Sequence, residues 1–208
     1  MAYSAEPADK EDFAREFDQF YTRFAKLYDL ALKLFPIWRR WISAVLPYVQ
    51  GPRLLEVSFG TGYLLDRYGP GVDVIGVEYN RAMLDIARRH VPGQPVTLQQ
   101  GNVYHLPFKS GTFDTVVNTM AFTGYADGKL ALSELKRVLR SGGRLVMVDI
   151  NYPRDGNRPG VFLAGLWMRL GDILRDMALL FAEGGFSHRD EEIGGWGSVH
   201  LYVATKVD

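Results

Sequence analysis

The apolar positions of the chain change period along its length, and those changes divide it. From Asp12 they fall at Phe13, Phe17, Phe20, Tyr21, Phe24 and Tyr28. Steps of three and four line one helix face with aromatic rings. A second helix is expected over residues 31–49, interrupted or restarted at Pro36, because proline has no N–H to give inside a helix. Residues 1–9, small and polar, read as a loose tail, and Gly51-Pro52 closes this helical preface.

Short apolar runs follow at 53–59, 72–78, 96–102, 112–119 and 144–150, with helical patterns at 62–68, 81–90 and 128–140 between them. The last of these helices stops at Arg140-Ser141-Gly142-Gly143, with basic residues in its final turn and glycine beyond. Strands alternating with helices predict right-handed crossovers and a parallel sheet covered on both faces, a doubly wound, Rossmann-like α/β fold. Residues 161–181 read as one helix. Phe162, Leu166, Leu170, Ile173, Met177 and Leu180 share one side of it, and Arg169, Asp172, Arg175 and Asp176 point away. Residues 186–193 and 199–206, joined by only five residues, must pair antiparallel. The expected architecture is a mostly parallel sheet with an antiparallel last strand. Residues 1–50 form its tail and helical cap and 51–208 the main domain, in one compact unit.

Composition then removes function classes. Twenty-four basic residues balance twenty-four acidic ones, so a general nucleic-acid binder, which needs basic excess, is disfavoured. The absence of cysteine excludes disulfides, thiolate metal sites and a cysteine nucleophile. Four scattered histidines suggest no metal site, and no metal is expected. No basic-then-apolar leader and no 18-residue apolar stretch is visible, so a cytoplasmic protein is expected.

The candidate chemistry begins at Glu56-Val57-Ser58-Phe59-Gly60-Thr61-Gly62, where the first strand turns toward a helix. Glycines there allow positive φ and let a ligand lie against the backbone, at the place where open α/β sheets bind ligands. Glu78, ending the second strand, stands where a carboxylate would accept hydrogen bonds from a ribose diol. Together these imply a nucleoside-containing cofactor. Position 65, where a dinucleotide fold places its third glycine, is Leu65, and the Glu56 carboxylate would oppose a pyrophosphate. A cationic, phosphate-free ligand such as S-adenosylmethionine suits the turn better.

At this point the sequence resembles the class I S-adenosylmethionine-dependent methyltransferases, within the small-molecule group that includes quinone-ring and phospholipid N-methyltransferases. The resemblance is carried by Leu54–Gly62, by Gly76-Val77-Glu78-Tyr79 through Met83, and by Gly101-Asn102-Val103 through Phe108. Phe113-Asp114 through Asn118 and Leu135 through Leu145 complete it. It implies a seven-stranded sheet and assigns roles residue by residue. The backbone about Ser58, Gly60 and Gly62 would hold the methionine part, with Glu56 near its ammonium and Asn118 beside it. Glu78 would hold both ribose hydroxyls, Tyr79 and Met83 would flank the adenine, Asn102 and Val103 would read its edge, and Tyr21 would close over the cofactor. Ser58 stands where the family has its first glycine and Asn102 where aspartate is common. The serine asks for an ordinary backbone conformation.

Methyl transfer from the sulfonium to an acceptor, which leaves S-adenosyl-L-homocysteine as product, is an in-line displacement that needs alignment and dryness more than an acid–base triad. The sequence therefore names no catalytic residue; His105 is a weak candidate, and Asp114 and Asp149 read as strand-end hydrogen-bonding groups. Residues 119–125 and 149–153 should line the acceptor pocket. Asn118-Thr119-Met120-Ala121 departs from the Asn-Pro-Pro-aromatic signature of nucleobase amine methylation, so a small, apolar acceptor of quinol, phenol or amino-lipid type is expected. Phe13, Phe17, Phe20, Trp38, Trp41, Phe162, Trp167 and Met168 have two readings: core packing under the extra helices, which is favoured, or the wall of a pocket for an apolar acceptor such as a quinone ring or lipid. Trp38-Arg39-Arg40-Trp41 could give weak peripheral membrane contact. Oligomeric state stays open. Two rivals stand beside this reading: a cofactor-binding scaffold without turnover, for which Ser58 is the hint, and a nicotinamide-dependent oxidoreductase.

Overall fold

A computed structural model describes residues 3–207, apart from the side chains of residues 26, 28 and 31–33; the Tyr28 ring of the aromatic stripe lies outside the described side chains. The elements run α1 (Lys10–Leu34), α2 (Pro36–Ser43), β1 (Arg53–Val57), β2 (Asp73–Glu78), α3 (Arg81–His90), β3 (Val96–Gln100), β4 (Phe113–Thr119), α4 (Gly128–Val138), β5 (Leu139–Ile150), α5 (Arg158–Arg169), α6 (Met177–Glu183), β6 (Phe186–Gly194) and β7 (Val199–Lys206). The seven strands form one sheet in the order β3-β2-β1-β4-β5-β7-β6. β1 to β5 pair parallel, and β7 runs antiparallel to both β5 and β6.

Alternating strand residues divide the core between two faces. Leu55, Val57, Val116, Leu145 and Met147 pack against Leu132 and Leu135 of α4 and Leu180 and Phe181 of α6. Leu54, Val117, Val146 and Val148 meet Ile42 of α2, Leu84 and Ala87 of α3 and Ala164 of α5. Because β1 lies between β2 and β4, successive crossovers leave it in opposite directions. A crevice opens at that switch point, above the carboxyl ends of the two strands.

Three expectations are corrected. Residues 62–68 form turns, not a helix. The segment is short and runs into Gly69-Pro70-Gly71, with both glycines at positive φ, so too few residues remain to repay helix nucleation. The single helix of 161–181 is two helices, broken at Gly171, whose φ is +107°. The expected apolar face holds beyond the break, where Ile173, Met177 and Leu180 are buried, but before it Phe162 and Leu170 are 69% and 62% exposed. Of the polar residues expected to point away, Arg175 is buried and Asp172 turns inward. The tail of residues 3–9 is pinned. Ser4 N–H donates to the Leu174 carbonyl (2.9 Å), Ser4 Oγ accepts the Leu174 N–H (3.1 Å), and Glu6 accepts the Gly128 N–H (3.1 Å).

Candidate functional site

The crevice beside β1 is built by two strained turns. Ser58 follows β1 with φ +58° and Met120 follows β4 with φ +51°. A left-handed conformation at such residues costs about 1–2 kcal/mol each. Ser58 therefore does not take the ordinary backbone expected of a serine; it takes the left-handed conformation that favours glycine. Its N–H donates to the Val77 carbonyl (2.7 Å), and its hydroxyl lies 2.7 Å from the Tyr125 hydroxyl. Strain of this kind persists where neighbours over-determine it, and it gathers at functional sites.

A cavity of about 170 Å³ lies above these turns. Tyr21, Glu56, Ser58, Gly60, Glu78, Tyr79, Met83, Asn102 and Val103 line it, which brings together nine of the eleven expected residues. The other two stand behind the wall. Gly62 is a packing glycine: a Cβ there would sit 2.7 Å from Leu65 and 2.9 Å from Ala87. Asn118 is fully buried and donates its amide to the Val57 carbonyl (2.9 Å) and the Tyr125 hydroxyl (2.8 Å), so it positions Tyr125. His105 lines neither this cavity nor its neighbour.

Sequence reasoning missed Asn80 and Asp172, and it put Tyr125 with the acceptor segment 119–125, whereas Tyr125 lines the first cavity. Asn80 caps α3 by accepting the Met83 N–H (3.0 Å), a role its place before Arg81 could have signalled. Its amide donates to Asp18 Oδ1 (2.8 Å) and Thr22 Oγ1 (2.7 Å), drawing α1 over the crevice.

The electrostatics of the site are those of buried carboxyls. Glu78 accepts the Gly60 N–H (2.9 Å) on one oxygen and the Asn80 N–H (2.8 Å) on the other, leaving a lone pair on each. Glu56 is buried with one oxygen lacking a hydrogen-bond partner. Burial pushes Glu56 up to about 8 and Glu78 up to about 7. Such groups ionise in the unfolded chain near 4.5 and in the folded chain only later. The unfolded state thus binds fewer protons across the window from about 4.5 to about 8, and folding stability falls as pH rises through it. Thermal melts of the ligand-free chain should therefore give a lower Tm at pH 8 than at pH 5. Glu56→Gln should raise the Tm at pH 8 and leave it nearly unchanged at pH 5; equal effects at both values would show that Glu56 ionises normally.

A second cavity of about 410 Å³ shares Phe17, Tyr21, Met120 and Asp172 with the first. Phe13, Phe20, Trp38, Trp167 and Leu170 make most of the rest of its wall, with Thr123 and Asp149 at its base. The aromatic stripe of α1 thus faces a cavity, not the core it was expected to build. Trp38 also turns inward, its ring 5.5 Å from that of Trp167. Among the described residues there is no group of three or more metal-ligating side chains, and no helix is long and apolar enough to cross a membrane.

A doubly wound sheet whose switch-point crevice presents buried carboxyls and no phosphate cradle defines an α/β enzyme for a cationic nucleoside. Comparison with known proteins gives the same class. Residues 55–147 match the family model described as a methyltransferase domain. The chain is 34% identical over 160 residues to the demethylmenaquinone methyltransferase of Symbiobacterium thermophilum, covering 71% of this chain and 62% of that one. It is 30% identical over 164 residues to that of Deinococcus radiodurans, covering 74% and 68%. The Haloferax volcanii protein solved in complex with the Trm112 methyltransferase activator shares the fold, with a TM-score of 0.75 at 18% identity over 90% of this chain and 98% of that one. The chain belongs to the class I S-adenosylmethionine-dependent methyltransferases. It spans roughly two thirds of the length of the two curated relatives.

Proposed function

We propose that the chain transfers a methyl group from S-adenosylmethionine to a reduced quinone ring carrying an apolar substituent. The observation that carries this reading is the second cavity, an aromatic-walled space that adjoins the cofactor crevice and shares the wall residues Met120 and Tyr21 with it. Sites for apolar ligands have this composition, with a few convergent polar groups fixing orientation. The names of the curated relatives point the same way.

The residues present fit the donor. Glu78 has free lone pairs for a ribose diol, and Glu56 presents an unpartnered buried oxygen toward a cationic end. Tyr79 and Met83 would flank the adenine, Asn102 and Val103 its edge, and Tyr21 the side under α1. Bound there, the donor supplies an electrophilic methyl group on a sulfonium. The chain's own work is alignment: the turns at Ser58 and Met120 fix the floor between the cavities, and the aromatic rings keep water out. Trp38 of α2 and Trp167 of α5 would wall the acceptor space together, their rings 5.5 Å apart. The exposed apolar residues Phe20, Leu34, Phe35 and Ile37 offer a peripheral contact to a lipid surface, from which such an acceptor would come.

The test is turnover. Purified chain with S-adenosylmethionine and a short-chain demethyl naphthoquinol should release S-adenosylhomocysteine one-for-one with methylated ring, in EDTA as in its absence. The oxidised quinone should give none, and S-adenosylhomocysteine but not NADH should raise the Tm. Cofactor binding without release on any quinol, phenol or amino-lipid would make the chain a scaffold.

A further inference from the structure

Two carboxyl groups in the second cavity compete for one hydroxyl proton. Thr123 Oγ1 lies 2.9 Å from Asp149 Oδ1 and 2.6 Å from Asp172 Oδ1. A threonine hydroxyl owns a single proton, so both contacts are hydrogen bonds only when one carboxyl carries a second. With both ionised the set is one proton short. The two acids are not equivalent. Burial at the end of β5 holds the Asp149 carboxyl above the usual carboxylate range, and the Thr123 N–H (3.1 Å) and Ile150 N–H (2.8 Å) that it also accepts offset part of that. Asp172 has the Thr123 hydroxyl, and it alone of the pair lines both cavities.

Local chain geometry puts Asp172 there. At Gly171 the backbone takes φ +107°, and the ring of Phe17 occupies the space a side chain would need, 3.0 Å from an added Cβ. Ile173 N–H then donates to the Thr123 carbonyl (2.7 Å), docking the segment after α5 beside the loop after β4. Burial, with the Asp149 charge adding to it, raises Asp172 to about 6, close to where a general base works best at neutral pH. The other charged and titratable groups around it are Arg175 on its own segment and Glu16, Asp18 and Tyr21 of α1, which share the cavity walls. The guanidinium of Arg175 is turned to the carbonyls of Phe122 and Tyr125, away from a bond to either acid.

Resting on the quinol reading above, we propose that Asp172, backed by Thr123 and Asp149, takes the hydroxyl proton of the acceptor during methyl transfer. The acceptor O–H bond breaks toward the Asp172 carboxylate, and its electron pair enters the ring. The ring carbon forms the new bond to the methyl group as the S–CH3 bond breaks with its electrons left on sulfur. The methylated carbon then loses its proton to water and the oxygen regains one from Asp172, so one proton leaves overall. Asp172 touches the acceptor and is catalytic. Thr123 and Asp149 are positioning residues.

Binding reads this without turnover. Calorimetry of the chain saturated with S-adenosylhomocysteine should show 1-naphthol held at least tenfold tighter than its methyl ether at pH 7.5, with the preference shrinking toward pH 5. Asp172→Asn, its folding checked by its own melting curve, should reduce that preference below threefold. Thr123→Val should move the pH midpoint of the preference upward, because the hydroxyl that steadies the Asp172 anion is gone. A tenfold preference retained in Asp172→Asn with an unchanged pH profile overturns the proton role and leaves the quinol reading standing. If neither naphthol nor ether binds while S-adenosylhomocysteine does, the acceptor reading falls and this inference falls with it.

Discussion

Replacing Glu78 by alanine is expected to weaken S-adenosylhomocysteine binding by about 2–4 kcal/mol, a rise in Kd of about 30- to 1,000-fold. The size follows from losing charge-assisted hydrogen bonds to two ribose hydroxyls in a buried setting. The variant also strips the Gly60 and Asn80 N–H groups of their acceptor, which loosens the turn and the start of α3 together. Hydroxyl donors favour the anion, and Glu78 ionises near 7, so the affinity of the unaltered chain should grow as pH rises through 7. The gap to the variant should accordingly be wider at pH 8 than at pH 6. Calorimetry at the two values measures both, and an unaltered Kd at pH 8 would remove Glu78 from the cofactor site.

The second large effect is expected at a residue that lines neither cavity. Arg175→Ala should lower folding stability by about 3 kcal/mol, the scale of leaving buried acceptors unsatisfied. Arg175 is buried, and its guanidinium donates to the carbonyls of Phe122 (3.2 Å), Ile173 (3.4 Å) and Tyr125. Its Nε lies 3.6 Å from a Glu6 oxygen, and Gly128 leaves it room, since a Cβ there would sit 2.6 Å from Nε. These contacts hold together the loop bearing Thr123 and Tyr125, the segment bearing Asp172, and the segment bearing Glu6. The expected drop in Tm is roughly 6–12 °C for a domain of this size. Lysine should restore little, because one ammonium cannot reproduce a planar fork. A melting curve for Arg175→Lys that overlays the unaltered one would show that the fork is dispensable.

The parts of this molecule legible in its sequence are those governed by nearby residues. The strand-to-turn passage at Glu56–Gly62, the carboxylate at Glu78 and the amphipathic stretch from Arg81 to His90 each follow from local period and local conformational need. The antiparallel last pair follows from a loop too short for anything else. What stayed hidden depends on the partner across the fold. Extending a 3.6-residue period through Gly171 gives Asp172 and Arg175 a solvent face, and only the break at that glycine turns them inward. Asn118 reads as a ligand contact until Tyr125, brought up by the loop after β4, claims its amide. The rings of α1 read as core because a helical stripe cannot say whether it meets side chains or a cavity.

The strap from Ser4 to Glu6 has a consequence for how the molecule is made. Its partners, Leu174 and Arg175, are synthesised about 170 residues later, which at ribosomal speeds is roughly 10–30 s. Through that interval the aromatic side of the first helix has no finished wall to close against. A nascent chain stalled before position 174 should therefore be a client for holdase chaperones, with the aromatic side of α1 as the exposed epitope.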